Sequence, residues 1–141
     1  MIKNGFSMIE ILIILIILSL LLTVAIPYGY NIIIESKAVK VSNLYKTIFR
    51  AIEYAIEDIE DISILNNLTL ERLKELGYLT SQPENFTLST NIKREGREII
   101  FNFNLRYIKN DVEISRIHKL GLREITQESD GSLLWSFSLK K

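Results

Sequence analysis

Residues 3–27 read KNGFSMIEILIILIILSLLLTVAIP, and one residue in that stretch is out of keeping with the rest. From Ile11 to Ile26 only Ser19 and Thr23 interrupt a run of aliphatic side chains, yet a carboxylate, Glu10, stands at its entrance. A helix over Phe6–Tyr28 would extend about 34 Å, enough to cross a hydrocarbon core of about 30 Å. A charge deep in such a span costs about 2.5–3.5 kcal/mol. Close to the helix start that cost is softened, because the macrodipole and the free N–H groups of the first turn favour an anion. Two readings of Glu10 stay open on the residues alone. It rests at the headgroup interface, or it is kept to pair with a positive charge.

Rival readings of the segment fit less well. A buried helix of a soluble protein rarely has this apolar density. A secretory signal peptide has a basic start, a shorter apolar run and small residues at its cleavage site. Here the run is long, Lys3 is the sole basic side chain ahead of it, and Ala25-Ile26-Pro27-Tyr28 is a poor cleavage site. A cut after Gly5 has a different outcome. It would put a new amine on Phe6, four residues before Glu10 and on the same helix face.

The stretch Asn4–Pro27 closely resembles the amino terminus of type IV pilins and of type II secretion pseudopilins. The family form is Gly-Phe-Thr-Leu-(Ile/Val)-Glu. Gly5-Phe6-Ser7-Met8-Ile9-Glu10 departs from it at Ser7 and Met8 only. The resemblance implies a leader, residues 1–5, removed by a prepilin peptidase between Gly5 and Phe6 on the cytoplasmic side. It implies N-methylation of Phe6 and a transmembrane and assembly helix over 6–28. Glu10 would meet the amino terminus of a neighbouring subunit during assembly, and Pro27 matches the family's helix proline. The partners implied are the prepilin peptidase, other pilin or pseudopilin subunits, an inner-membrane assembly platform and membrane lipid. The location implied is the bacterial inner membrane, crossed once, with the head in the periplasm or outside the cell, and then the filament. Beyond Pro27 the chain matches the family in layout only.

Composition narrows the field further. The chain has 141 residues, a formal net charge of zero and no cysteine. That length suits an anchor and one small domain. A neutral balance gives no pull on nucleic acid, so no nucleic-acid partner is inferred. Without cysteine there are no disulfides, thiolate metal sites or cysteine nucleophiles. Many pilins close their last loop with a disulfide; its impossibility here leans toward a pseudopilin or a minor pilin.

Pro27 removes a helical N–H and crowds the carbonyl of Thr23, so a kink is expected there, helped by Gly29. Beyond it Ile34, Ala38, Val41, Tyr45, Ile48, Ile52, Ala55, Ile59 and Ile62 alternate spacings of four and three. That is one continuous helical stripe, which carries the expected helix to about Ile62. A coiled-coil seam is the rival reading. Leu44, Phe49 and Ile56 widen the stripe, as expected of a helix lying on a sheet.

The head, residues 29–141, includes this amphipathic half. Asn66-Asn67 breaks the helix, and Thr69 starts a short one that Gly77 ends. Phe86, Leu88, Thr90 and Ile92 alternate along one strand, Phe101, Phe103, Leu105 and Tyr107 along the next, with Glu95-Gly96 turning between them. Leu133, Trp135, Phe137 and Leu139 alternate in the last strand, and Asp130-Gly131 would pair it with a strand over Leu122–Glu128. Val112–Leu120 fits either a short helix begun by Asp111 and ended by Gly121 or a third hairpin strand; the strand is the reading adopted. The fold expected is α+β, a long amino-terminal helix with its second half on a carboxyl-terminal antiparallel sheet, as in pilins.

No catalytic constellation accompanies this layout. His118 is the sole histidine, and no glycine-flanked serine elbow or phosphate-binding loop appears. Glu57, Asp58, Glu60 and Asp61 read as the wet face of a helix. Some pseudopilins carry a calcium loop near the carboxyl end, where this chain offers only Glu128 and Asp130. No enzyme activity, cofactor or metal is expected. Three functions remain in view: a filament subunit, a minor pilin at a filament tip that contacts a surface, DNA or secreted substrate, and a membrane-anchored domain that forms no filament.

Overall fold

A computed structural model of the chain describes residues 7–141. One long helix, α1 (Met8–Asp58), opens it. Contacts divide the chain into two units, the first ending at Ser36 and the second running from Lys37 to Lys141. The first unit is the amino-terminal part of α1. Its helix is maintained through Pro27 and Gly29.

In the second unit α1 supplies one wall of the core. Ala38, Val41, Tyr45, Ile48, Ile52 and Ala55 are buried along one stripe, with Ile56 beside them and Leu44 and Phe49 half-buried at its edges. The width of that stripe fits a sheet as its partner rather than a single helix.

The sheet is four-stranded and antiparallel. Strand β1 (Phe86–Glu95) pairs with β2 (Glu98–Tyr107), and Gly96 turns between them at φ +64°. Strand β4 (Leu133–Lys140) pairs with β2, and a two-residue β3 (Thr126–Gln127) pairs with β4, giving the order β1-β2-β4-β3. Register brings Leu88, Leu105 and Trp135 into one row and Thr90, Phe103 and Phe137 into the next. These rows face α1: Phe49 stacks on Trp135 at 5.0 Å and meets Phe137 edge-on at 4.8 Å. The opposite face is polar. There Ser136 Oγ donates to Asn104 Oδ1 at 2.7 Å, and Ser138 Oγ to Asn102 Oδ1 at 2.6 Å. The α+β arrangement read from the sequence is therefore the observed one.

Tyr45 fixes the helix to the sheet. Its buried hydroxyl donates to the carbonyl of Leu133 at 2.5 Å and accepts from the N–H of Tyr107 at 3.2 Å. Tyr107 and Leu133 are the terminal pair of the β2–β4 ladder. Burial pushes the Tyr45 phenol far above its ordinary value.

Three segments differ from the sequence reading. The long helix stops at Asp58 rather than near Ile62. A separate helix, α2 (Ile62–Asn66), begins there because Asp61 caps it, accepting from Ser63 N–H at 2.8 Å and from Ser63 Oγ at 2.7 Å. Those bonds hold the Asp61 carboxyl below its ordinary range. A side chain that satisfies free N–H groups favours a helix start over continuation. The strand adopted for Val112–Leu120 is instead a helix, α4 (Ile114–Lys119). Gly121, at φ +94°, follows its end, as the alternative had it. Its N-cap is Glu113, not Asp111, whose carboxylate accepts from the Tyr107 hydroxyl at 2.8 Å. Finally, the strand expected over Leu122–Glu128 shrinks to Thr126–Gln127. Leu122 and Ile125 are both buried, a spacing of three that an alternating strand cannot present to one core.

Helix α3 (Leu70–Glu75) follows the sequence reading. Thr69 Oγ1 accepts from Arg72 N–H at 3.2 Å, and Gly77 ends the turn at φ +85°.

Candidate functional site

The first turn of α1 gathers the residues that the sequence singles out. Ser7 sits just outside the helix, which starts at Met8, so Glu10 is the third helical residue. Its Oε2 accepts from the backbone N–H of Ser7 at 2.8 Å. The Ser7 carbonyl in turn accepts from the N–H groups of Glu10 at 3.0 Å and Ile11 at 3.2 Å. This is half of a capping box, in which an acid three residues into the helix reaches back to the capping residue. The Ser7-Met8-Ile9-Glu10 spacing carries that signature in the sequence itself, and the sequence reading passed over it. Glu10 therefore has a local function as an unassembled side chain: it satisfies one of the orphan donors at the helix start. One carboxylate oxygen does this, which leaves the other available to a further donor.

Among the described residues around this turn, no other carboxylate accompanies Glu10. Every large apolar side chain from Met8 to Ile33 is exposed, the least being Ile14 at 46% and the most Met8 at 83%. Ser19 Oγ and Thr23 Oγ1 turn inward to carbonyls of their own helix, those of Ile16 and Ser19, both at 2.8 Å. With its hydroxyls satisfied inside the helix, the segment can lie in hydrocarbon without unpaired donors. It is long and apolar enough to cross a membrane.

Gly5 and Phe6, the expected cleavage junction and methylation site, lie outside the described residues. Pro27 and Gly29 lie within α1, away from Glu10.

The head's titratable groups act in its own architecture. His118 Nε2 is 2.8 Å from the Ile125 carbonyl, which ties α4 to the segment entering β3. Lys46 Nζ donates to the carbonyl of Leu120 at 3.2 Å, beyond the end of α4. Lys141 Nζ reaches the carbonyls of Ile56, at 2.7 Å, and Ile59, where α1 ends. Among the described residues no group of three or more His, Cys, Asp or Glu side chains could hold a metal ion.

No protein-family model, curated protein or solved structure matches the chain.

Proposed function

We propose that this chain is a structural subunit of a type IV pilus or of a type II secretion pseudopilus, made as a precursor and assembled from the bacterial inner membrane. The observation that carries the reading is Glu10, a carboxylate in the first turn of an otherwise apolar exposed helix, five residues after Gly5. Its bond to the Ser7 N–H uses one carboxylate oxygen, and the other is left for a neighbour's amine. In the proposed cycle a prepilin peptidase cuts after Gly5 and methylates Phe6. Before the cut Lys3 and the start lie on the cytoplasmic side, and the apolar part of α1 holds the chain in the bilayer with the head exported. On assembly the segment leaves lipid for a bundle of identical helices, and Glu10 accepts the amine of a neighbouring Phe6. A buried carboxylate and amine neutralise one another there, and subunits out of register lose that pairing.

The head fits this part as a folded body whose core is complete on its own chain, so that the apolar half of α1 is left for lipid or for other subunits. Intact-mass analysis of the protein extracted from membranes of a host carrying its prepilin peptidase tests the proposal. The expected chain begins at a methylated Phe6. A mature chain beginning at Met1, or cut after Ala25, would overturn the reading.

A further inference from the structure

Two features of the second unit carry opposite charge. One is a cleft of about 580 Å³ beside Lys37 and Lys40 of α1, with Val41, Leu44 and Pro83 as apolar walls. Lys109, Asp111 and Glu84 complete its charged lining. Asp111 is occupied, accepting from the Tyr107 hydroxyl at 2.8 Å and facing Lys37 at 3.6 Å. Lys40 and Lys109 have no ion-pair or hydrogen-bond partner among the described residues, and Glu84 is the remaining carboxylate against them. The cleft therefore stays positive.

The other feature is the bend between α1 and α2. Glu57, Asp58, Glu60 and Asp61 do not share the wet face of one helix, because α1 ends at Asp58 and α2 begins at Ile62. They crowd the bend instead. Asp61 is taken up by Ser63, and Asp58 accepts from the Tyr78 hydroxyl at 3.3 Å. The Lys141 ammonium reaches this bend but is turned to the carbonyls of Ile56 and Ile59. Glu57 and Glu60 are exposed and have no partner among the described residues.

Helix and sheet both measure how far apart the two features lie. Lys40 to Glu57 is about 26 Å of helix. Lys141, at the bend, pairs with Ile99 at the start of β2, whereas Tyr107 at the end of β2 lines the cleft. Ile99 to Tyr107 is about 27 Å of strand. The two features thus occupy opposite ends of one body. A contact between such ends is heterologous, and it passes from copy to copy into a ring or a filament.

The geometry points to head-to-tail docking of a second copy of this chain, the α1–α2 bend of one head entering the lysine cleft of the next, with Lys40 and Lys109 against Glu57 and Glu60. The inference rests on the reading of the chain as a filament subunit and adds which surfaces of the head meet. Two free ammonium groups meet two free carboxylates, so the charge that each surface leaves unpaired in one head is paired in the stack. Any other acidic partner would fill the cleft and leave the bend's own carboxylates unpaired. Complementary charges of this kind steer encounter and fix register more than they add affinity.

The test uses the full chain in a host that processes and assembles it. Lys40→Glu/Lys109→Glu and Glu57→Lys/Glu60→Lys should each lower the yield of sheared filaments about tenfold or more, because like charges then face each other. Blotting should show processing after Gly5 unchanged. All four substitutions in one chain should restore most of the yield, since the attraction returns with its signs exchanged. Lys74→Glu, at an exposed position on α3, should leave it unchanged. Loss in the lysine variant alone would assign the cleft to a different acidic partner and overturn the contact, as would no recovery in the fourfold variant. The chain has no cysteine, so Lys109→Cys/Glu60→Cys gives a second reading that keeps the remaining charge pair. A short bismaleimide should link this variant into a ladder of multimers and should link neither single variant; within one chain the two thiols are too far apart to be bridged. Filaments without a ladder overturn the contact and leave the filament reading standing. A chain that stays uncut at Gly5 and forms no filament, in a host carrying its prepilin peptidase, overturns both.

Discussion

The two parts of α1 use the same aliphatic residues to opposite ends. Between Ile11 and Ile26 they point in every direction, and all are exposed. From Ala38 to Ile56 they are gathered on one stripe, covered by β1, β2 and β4, while Lys40, Lys46, Arg50 and Glu57 take the other side. An all-round apolar helix has no solvent within its own chain, so it needs hydrocarbon or other helices; an amphipathic one is completed by its own sheet. The difference separates what this chain finishes by itself from what it leaves to its surroundings. Experiments that act on one part and not the other therefore probe the division directly.

The largest effect is expected at Glu10. Glu10→Ala should leave membrane integration and cleavage after Gly5 intact, yet assembly should collapse. Removing one partner of a buried pair typically costs about 3–5 kcal/mol, here repeated at each subunit. Glu10→Gln should fail nearly as badly. Blotting for the processed chain beside the yield of sheared filaments, or of secretion, separates the two steps. Normal assembly of the alanine variant would end the pairing argument.

Next comes the core of the second unit. Phe103 is fully buried on β2, and Phe103→Ala should destabilise the head by about 3–5 kcal/mol. Leu15→Ala, in the exposed part of α1, should not move the same transition. Trp135 is the sole tryptophan and stacks on Phe49, so its fluorescence during denaturant unfolding reports the head alone. Equal shifts from both substitutions would mean that the two parts are not independent.

Tyr45→Phe should cost about 1–3 kcal/mol, because the Tyr107 N–H loses its acceptor and the Leu133 carbonyl its donor. It should also change the response to alkali. Burial pushes the phenols of Tyr45 and Tyr107 upward, with Asp111 adding to the effect at Tyr107. Below about pH 10 these phenols are protonated in both the folded and unfolded chains, so their contribution is fully present. Above it the unfolded chain releases protons that the folded chain retains, and stability falls with each further pH unit. The decline should be shallower in Tyr45→Phe, as measured by unfolding midpoints between neutral and strongly alkaline buffer.

The smallest effect is expected at Ser42, whose buried hydroxyl has no hydrogen-bond partner. Ser42→Ala should leave stability unchanged or raise it by up to about 1 kcal/mol, since an unsatisfied hydroxyl is removed and alanine is the better helix former. A clear loss would show that Ser42 serves something beyond the core.

Much of the head was legible because local and tertiary preferences agree there. The alternation of Phe101, Phe103, Leu105 and Tyr107, the Gly96 turn and the Thr69 to Gly77 helix each carry their own signal. The end of α1 did not, because Ile59 and Ile62 continue its stripe while the short-range bonds of Asp61 and Ser63 start a new helix. Over Val112–Leu120 the turn signals at both ends fit a strand or a helix, but Ile114 and Ile117 both pack on the core at a spacing of three, which a helix presents to one side and a strand does not. Glu10 was conspicuous as a charge in an apolar segment, and its capping bond to Ser7 is written in the Ser-x-x-Glu spacing, which that charge overshadowed.

The Tyr45 hydroxyl has a consequence beyond the stability of its bonds. It touches the chain where β2 ends and where β4 begins, so the whole excursion through α4 and β3 leaves and rejoins the sheet at one pinned point. Once the ends of a loop are held, lengthening it costs little, because closure entropy grows only slowly with length. Between Ile108 and Ser132 the chain can thus change length and surface at its exposed positions, while Val112, Ile117, Leu122 and Ile125 keep their places in the core and the three-stranded body keeps its register.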